Sequence, residues 1–495
     1  MKRYLANSIA AIVVGLALRL FFVLHFPVVA GDTIVYEELA GNWLNHGVYE
    51  LFVDGRLTPV DIRMPGYPAY LTLVYRLTRQ TGATARFWVM LGQVVLDLAT
   101  CALIALLAVA VSSRKGEETR HLRARALWLA ATCPFVASYA AVPLTEVFAT
   151  FFTTAAMVFF VRLMESAGSV GSASLSSTQR PPSFLARNGA ELQGVFAALL
   201  VGLGTLFRPE TPLLLFAPSA VLGLVLLPQR QAGRWIRTVV LMGVACSVPL
   251  LPWAVRNAVT FHEFRFLAPR YAEFPGALVP RGFIAWEKTW LWRFRDVYLV
   301  SWKLDEQPIS LSDIPESAFD TAEEKQRVAT VLSEYNDTTT LTSDEDGEFS
   351  AIARERTARR PLRTYLRIPL ARAASMWLTP RIELLPFSGH VFPLPRSIAE
   401  DPADVSVTMG FFFLNIFYLV LAGFGTVRLW RSSRTARHAI LLLLGYLFLR
   451  TAFLTTLETP EPRYLVECIP ILLALSAQAF GPAPGRSGAA RPPAG

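Results

Sequence analysis

The chain has 495 residues, of which 53% are hydrophobic and 17% charged, with a formal net charge of +9 and a mean hydropathy of +0.39. Soluble proteins of this length carry more charge and shorter apolar runs, so a string of soluble domains is excluded. The basic balance does not indicate nucleic acid, because many Lys and Arg residues gather in short loops between apolar runs, as the positive-inside rule asks of a membrane protein.

Lys2 and Arg3 precede the first apolar run, Ala6 to Leu24, which is long enough to cross a bilayer. Val28-Val29-Ala30 resembles a signal-cleavage site, but the length of the run and the spans after it favour an uncleaved span with a cytoplasmic N-terminus. An outer loop over 25–80 follows. It carries Asp32, the stretch Tyr36-Glu37-Glu38-Leu39-Ala40, and Asp61-Ile62-Arg63-Met64-Pro65-Gly66-Tyr67-Pro68. Thr33 to Asn45 reads as a short helix ended by Gly47, which leaves Asp32 open to a plain capping role.

Further spans are expected over 85–111, 126–142 and 147–163, with the outward turn Pro143-Leu144-Thr145-Glu146 between the last two. The Ser/Gly/Pro-rich stretch 164–190 reads as a flexible cytoplasmic linker. Spans over 192–207 and 212–227 pivot on Arg208-Pro209-Glu210, and another over 238–253 exits again. Three more fit 409–429, 439–457 and 465–480, ahead of a disordered tail at 483–495. With this assignment the Arg/Lys clusters of the short loops fall on one side, a result that hydropathy alone did not impose.

The expected fold is therefore an all-α polytopic membrane protein, a transmembrane helical bundle of about ten spans (range nine to thirteen) with an external juxtamembrane first loop and an external soluble insert. Residues 1–253 form a transmembrane catalytic module, 254–405 the external region and 406–482 the C-terminal transmembrane helices. Within the insert, Asp305 to Glu348 is acidic, while Arg354 to Arg372 interleaves arginines with Leu362, Tyr365, Leu366 and Ile368. That second stretch reads as an amphipathic helix resting on the membrane, arginines toward lipid phosphates. Asn336-Asp337-Thr338 matches a glycosylation sequon. Cys101, Cys133, Cys246 and Cys468 sit in or beside apolar runs and read as packing residues.

The outer face collects Asp32, Glu37, Asp61, Arg63, Glu146, Arg208, Glu210, Arg256 and Arg463. Charges at the rim suit a substrate whose tail lies in the membrane while its phosphate and sugar sit at the boundary. Sugar transfer from such a donor needs a carboxylate to deprotonate the acceptor and cations to stabilise the departing phosphate.

Asp32 with Tyr36, Leu39-Ala40, Gly47, Tyr49 and Arg63-Met64-Pro65-Gly66-Tyr67-Pro68 resembles the first external loop of the GT-C membrane glycosyltransferases, a superfamily that includes the protein O-mannosyltransferases and the aminoarabinose–lipid A transferases. Pro143-Leu144-Thr145-Glu146 resembles the second acidic loop, and Phe207-Arg208-Pro209-Glu210, Pro252-Trp253-Ala254-Val255-Arg256-Asn257 and Pro462-Arg463-Tyr464 match later landmarks. The likeness covers the first 260 or so residues and the C-terminal spans, and fades across the insert.

The resemblance implies a GT-C-like transmembrane bundle and a catalytic base at Asp32, with Glu146 assisting. It also implies phosphate binding by Arg63 and Arg208, and Arg463, Arg256, Tyr36, Glu37 and Tyr67 are further candidate substrate-binding residues from their place at the outer face. Where the family often has an acidic doublet, Thr33 follows Asp32, which leaves the acceptor and assistance by a divalent cation open. The six histidines show no HxH or HExxH spacing, so no tightly bound metal or cofactor is expected.

Each assignment has a structural alternative. Glu146 suits a helix N-terminus, Arg208 and Arg19 could snorkel, Arg463 could pair with Glu461, and Tyr36 and Tyr67 could belong to an interfacial aromatic belt. The function read from the sequence is transfer of a sugar, with inversion, from a polyprenyl-phosphate donor to an external lipid, glycan or protein acceptor. The protein would sit in the cell (inner) membrane among its lipids, with its site on the external or periplasmic face. A polysaccharide polymerase or ligase, or a lipid-linked sugar transporter or flippase, is the alternative.

Overall fold

The computed structural model describes residues 2–112, 114, 116–173, 184–271 and 277–480, so part of the linker expected at 164–190 and all of the tail expected at 483–495 lie outside the described residues. Two compact units emerge. One comprises Met1–Pro269, Ile382–Leu447 and Val466–Gly495, the other Arg270–Arg381 and Phe448–Leu465.

The first unit opens with α1 (Lys2–His25) and α2 (Gly31–His46). α2 ends at Gly47, whose φ of 72° places it in the left-handed region that terminates helices. Its N-cap is Ala30, so Asp32 lies inside the first turn rather than at the cap, and a pure capping role does not account for it. Strands β1 (Glu50–Val53) and β2 (Arg56–Pro59) then form an antiparallel hairpin, a departure from the all-helical expectation. Its signal was Asp54-Gly55, both at positive φ, the residues that a tight two-residue hairpin turn demands. α3 (Gly66–Thr78) buries Tyr67, Leu71 and Tyr75, one stripe at four-residue spacing, and α4 (Arg86–Ala110) follows.

Next come α5 (Glu117–Ala131), α6 (Pro134–Ala137), α7 (Glu146–Ala173), α8 (Phe184–Thr205), α9 (Phe216–Leu226), α10 (Ala232–Ser247) and α11 (Leu251–Phe261).

The second unit holds α12 (Arg281–Glu287), α13 (Phe294–Leu299), α14 (Ala322–Thr338), α15 (Ser343–Arg359) and α16 (Ile368–Trp377) around a core that includes Trp286, Trp290, Val328, Tyr335 and Phe349. The Asp346 carboxylate accepts the Gly282 and Phe283 backbone N–H groups, capping α12. Arg356 is fully buried and bonds Glu324 and Thr289. The helix expected over 354–372 is split. α15 stops before Pro361, and the chain resumes with a π-turn at Arg363–Arg367 that runs into α16. Leu362, Tyr365 and Leu366 are exposed while Ile368 is buried. Asn336 is engaged at both ends of its amide by the Ile309 backbone, so the sequon asparagine serves as a local staple.

The chain continues through α17 (Leu394–Glu400), α18 (Pro402–Trp430), α19 (Arg434–Leu454) and α20 (Ile469–Ser476). Among the described residues, six stretches are long and apolar enough to cross a membrane: Tyr4–His25, Arg86–Ala110, Glu146–Ala167, Ala232–Phe261, Pro402–Trp430 and Arg434–Leu454. They coincide with six of the expected spans.

The other four expected spans take different forms. The one at 126–142 breaks at Pro134, which lacks an N–H, and continues as α6 and a 3-10 turn at Ser138–Ala141. Those at 192–207 and 212–227 are shorter apolar helices, Glu191–Thr205 and Thr211–Leu226. The last consists of α20 between 3-10 turns at Pro462–Cys468 and Ala477–Ala479, with Pro470 in its first turn. Residues 465–477 of it are almost wholly buried, and irregular backbone is tolerated at membrane depth where protein covers it.

Inside the bundle the Arg19 guanidinium on α1 is wholly buried. Its Nε donates to Asp97 Oδ2 on α4 at 2.7 Å, and its terminal nitrogens donate to the Ala131 (2.6 Å) and Ala130 (3.3 Å) carbonyls that end α5. Gly15 lets α5 approach closely, since a Cβ there would lie 3.1 Å from the Ala131 Cβ. Arg19 is therefore an interhelical staple, its charge matched by a partner and by the negative end of a helix.

Candidate active site in the first unit

Asp32 and Arg63 meet. The Arg63 Nη2 donates to Asp32 Oδ1 at 2.7 Å, and both side chains are about a quarter exposed (24% for Arg63, 28% for Asp32). The Arg63 carbonyl accepts the Tyr49 hydroxyl at 3.0 Å, which fixes the turn before Pro65. That turn docks by backbone contact: the Gly66 N–H donates to the Leu206 carbonyl at 2.7 Å, and a Cβ at position 66 would sit 2.6 Å from that oxygen. Glycine is required there. The contact places Arg63-Met64-Pro65-Gly66 against the start of Leu206-Phe207-Arg208.

Arg208 anchors a second cluster. Its Nη2 donates to Glu146 Oε1 (3.1 Å), its Nη1 to Glu467 Oε1 (3.5 Å) and its Nε to Thr145 Oγ1 (3.3 Å), while Glu210 Oε1 lies 3.5 Å from Nη1. Glu146 and Glu467 are buried, and Thr153 donates to the second Glu467 oxygen at 3.0 Å. One guanidinium thus sits among three carboxylates, in contrast to the open Asp32–Arg63 pair.

Three bonds join the clusters. Thr33, directly after Asp32, donates its hydroxyl to the Pro143 carbonyl at 3.1 Å. Gln93 on α4 accepts the Tyr67 hydroxyl at 2.6 Å and donates to the Val142 carbonyl at 2.7 Å. The Tyr36 phenol feels both clusters. Burial raises its pKa first, then the Asp32 carboxylate; Arg63 and Arg208 pull it down and Glu146 adds to the rise.

The remaining expected residues are placed as follows. Tyr36 and Tyr67 are buried and pack edge to face at 5.1 Å, forming the floor of the first loop. Glu37 is held bidentately by Arg86 at 2.7 and 2.8 Å, tying α2 to α4. Arg256 donates to the Val60 (2.9 Å) and Tyr49 (2.7 Å) carbonyls and lies over the Trp253 ring, holding the hairpin to α11. Arg463 belongs to the second compact unit, where its Nε lies 2.5 Å from Glu461 Oε2.

The sequence reading missed Glu467, Thr33 as a tie, Gln93 and Asp97. Glu467 and Asp97 are acids inside apolar runs, and that position was the available signal. Among the described residues, no group of three or more His, Cys, Asp or Glu is arranged to hold a metal ion.

No family model and no curated protein sequence matches the chain. Solved structures do. The oligosaccharyltransferase of Archaeoglobus fulgidus, tethered to an acceptor peptide containing the NVT sequon, aligns with a TM-score of 0.50 and 13% identity over 96% of this chain and 49% of that one. The archaeal oligosaccharyltransferase AglB of the same organism, in complex with an inhibitory peptide and a dolichol-phosphate, aligns at 0.49 and 13%, covering 96% and 50%. ArnT from Cupriavidus metallidurans, bound to undecaprenyl phosphate, aligns at 0.40 and 15%, covering 94% and 77%. The chain thus spans about half the length of the oligosaccharyltransferase structures it matches. At 13% identity such a likeness shows the fold alone, and that fold is the one of the archaeal oligosaccharyltransferase structure.

Proposed function

We propose that the protein is a membrane glycosyltransferase that moves a sugar from a polyprenyl-phosphate donor to an external acceptor. The observation that carries the reading is the half-open Asp32–Arg63 pair, joined through Thr33 and Gly66 to the buried Arg208 cluster. Asp32 takes the proton of the acceptor hydroxyl as its oxygen attacks the anomeric carbon. The bond from that carbon to the phosphate oxygen breaks, and Arg63 stabilises the phosphate as it leaves. A single displacement of this kind inverts the anomeric centre.

Glu146 and Arg208 are positioning residues in this reading. Arg208 lies among Glu146, Glu210 and Glu467, so its charge is largely answered by protein carboxylates. The phosphate role expected of it from the sequence passes to Arg63, which is 24% exposed against 9% for Arg208. The site faces the outside of the cell membrane, where the first loop emerges in the positive-inside arrangement.

The test is sugar transfer from a labelled polyprenyl-phosphate donor into native membranes, the source of acceptor, by wild type and Asp32→Asn. The variant should insert normally and lose transfer. Wild-type rates in Asp32→Asn would dismiss the assignment.

A further inference from the structure

Within the second unit a cavity of about 380 Å³ opens between the aromatic side chains of Trp290, Trp292 and Phe319 and the arginines Arg360, Arg363 and Arg367. Its volume is that of a small-molecule site. The walls are rich in donors. Trp290 is 2% exposed and its indole N–H meets no acceptor among the described residues, and the buried Arg363 Nε is likewise unanswered.

Charge is in excess as well. The carboxylates of Asp320 and Glu324 answer Arg356, Arg359 and Arg363. Arg360 and Arg367, both exposed, make no ion pair among the described residues. The π-turn that contains Arg363 and Arg367, with the residue before it, also carries apolar side chains outward: Leu362 is 74% exposed, Tyr365 73% and Leu366 53%. An arginine-lined cavity beside an exposed apolar ridge is the arrangement of a group working at a lipid–water boundary.

We infer that this cavity binds the phosphate-bearing headgroup of an amphiphile, with Arg360, Arg363 and Arg367 holding the phosphate and the Trp290, Trp292 and Phe319 rings covering the polyol or sugar attached to it. Guanidinium forks match phosphate oxygens in pairs, and aromatic faces suit the C–H faces of a ring. The ridge of Leu362, Tyr365 and Leu366 takes the tail side. The cavity is lined by residues of the second unit, Asp32 and Arg63 belong to the first, and the proposal does not depend on the transfer chemistry assigned there.

The experiment uses the full chain in phosphatidylcholine nanodiscs with and without phosphatidylglycerol, reading bound lipid by native mass spectrometry. A second arm titrates glucose 6-phosphate against tryptophan fluorescence. Arg360→Gln/Arg367→Gln, which removes two exposed arginines without an ion-pair partner, should weaken binding about tenfold in whichever arm binds. Loss confined to phosphatidylglycerol identifies a lipid headgroup, and loss for glucose 6-phosphate identifies a free phosphate ester. Arg295→Gln/Arg354→Gln removes the same charge away from the cavity and should leave binding unchanged. Binding in neither arm, undiminished binding in the cavity variant, or equal loss in the control overturns the proposal.

Discussion

The Thr33 hydroxyl lies 3.1 Å from the Pro143 carbonyl, and through that bond the turn that presents Asp32 is fastened to the loop that leads into Glu146. Thr33 is fully buried and also accepts the Ala30 N–H, so it meets one donor and one acceptor at once. The single hydroxyl oxygen does both. A carboxylate would face the Pro143 carbonyl oxygen with no proton to offer, which gives a physical reason for threonine rather than a second acid at this position.

Thr33→Val should therefore destabilise the protein by about 1–3 kcal/mol, because a buried carbonyl loses its donor. Thr33→Asp should cost more, since it buries an ionised group against that carbonyl. Thermal unfolding of the purified protein orders the three chains. An Asp variant as stable as wild type would contradict the role of the hydroxyl.

Asp32 and Arg63 should separate kinetically. Asp32→Asn lowers kcat by roughly 10²–10⁴-fold with little change in the donor KM, because a general base acts in the transition state. Arg63→Ala raises the donor KM by about tenfold or more through lost phosphate contact. Initial rates at varied donor concentration measure both.

Arg208→Ala leaves Glu146 and Glu467 buried beside each other without their cation. The expected cost is about 3–5 kcal/mol. Adding Glu467→Gln should recover part of it, while Arg208→Lys recovers little, because an ammonium cannot fork between carboxylates. Denaturation midpoints of the single and double variants check this, and a double variant no better than the single would place the strain elsewhere.

Gly66→Ala should lower activity without touching a charged group. Its Cβ would stand 2.6 Å from the Leu206 oxygen, so the turn must move and carry Arg63 with it. A loss of about tenfold or more in transfer is expected from a displacement on this scale. An unaltered Gly66→Ala enzyme would show that the turn is not held there.

In the second unit, burial pushes the Glu287 carboxyl up to about 8, against the Ser301 hydroxyl bond and the Arg372 guanidinium, which pull it down. An unfolded glutamate releases its proton near pH ~4.3. Between those values the folded chain keeps a proton that the unfolded chain has lost, so this group's contribution to stability is fully kept below about pH 4 and falls as pH rises toward 8. Glu287→Gln should flatten this slope and raise stability at pH 8 by on the order of a few kcal/mol. Melting temperatures across that range decide the matter.

The sequence made the membrane class plain because six long apolar stretches stand between basic loops, a pattern that survives any detail of packing. It misjudged the stretches near Pro134 and Pro470, where hydropathy sees an unbroken run but proline interrupts the backbone and the surrounding protein covers the break. In the site, the residues on the rim were legible as charges out of place. Their partners were not, since Glu467 and Asp97 were absorbed into apolar runs, and pairing is a property of the packed bundle. Tyr67 illustrates the same limit: an aromatic in an outer loop suggests a belt or a sugar platform, and packing instead gives it to Gln93 as part of the floor.

The staple between Arg19 and Asp97 also has a consequence for biogenesis. The two residues are 78 positions apart, so the first helix is synthesised carrying a cation whose counter-ion does not yet exist. An unanswered arginine at the centre of a membrane helix costs about 2.5–3.5 kcal/mol. Packing of α4 against α1 supplies the counter-ion. The pairing of the two helices is thereby specified by one ion pair.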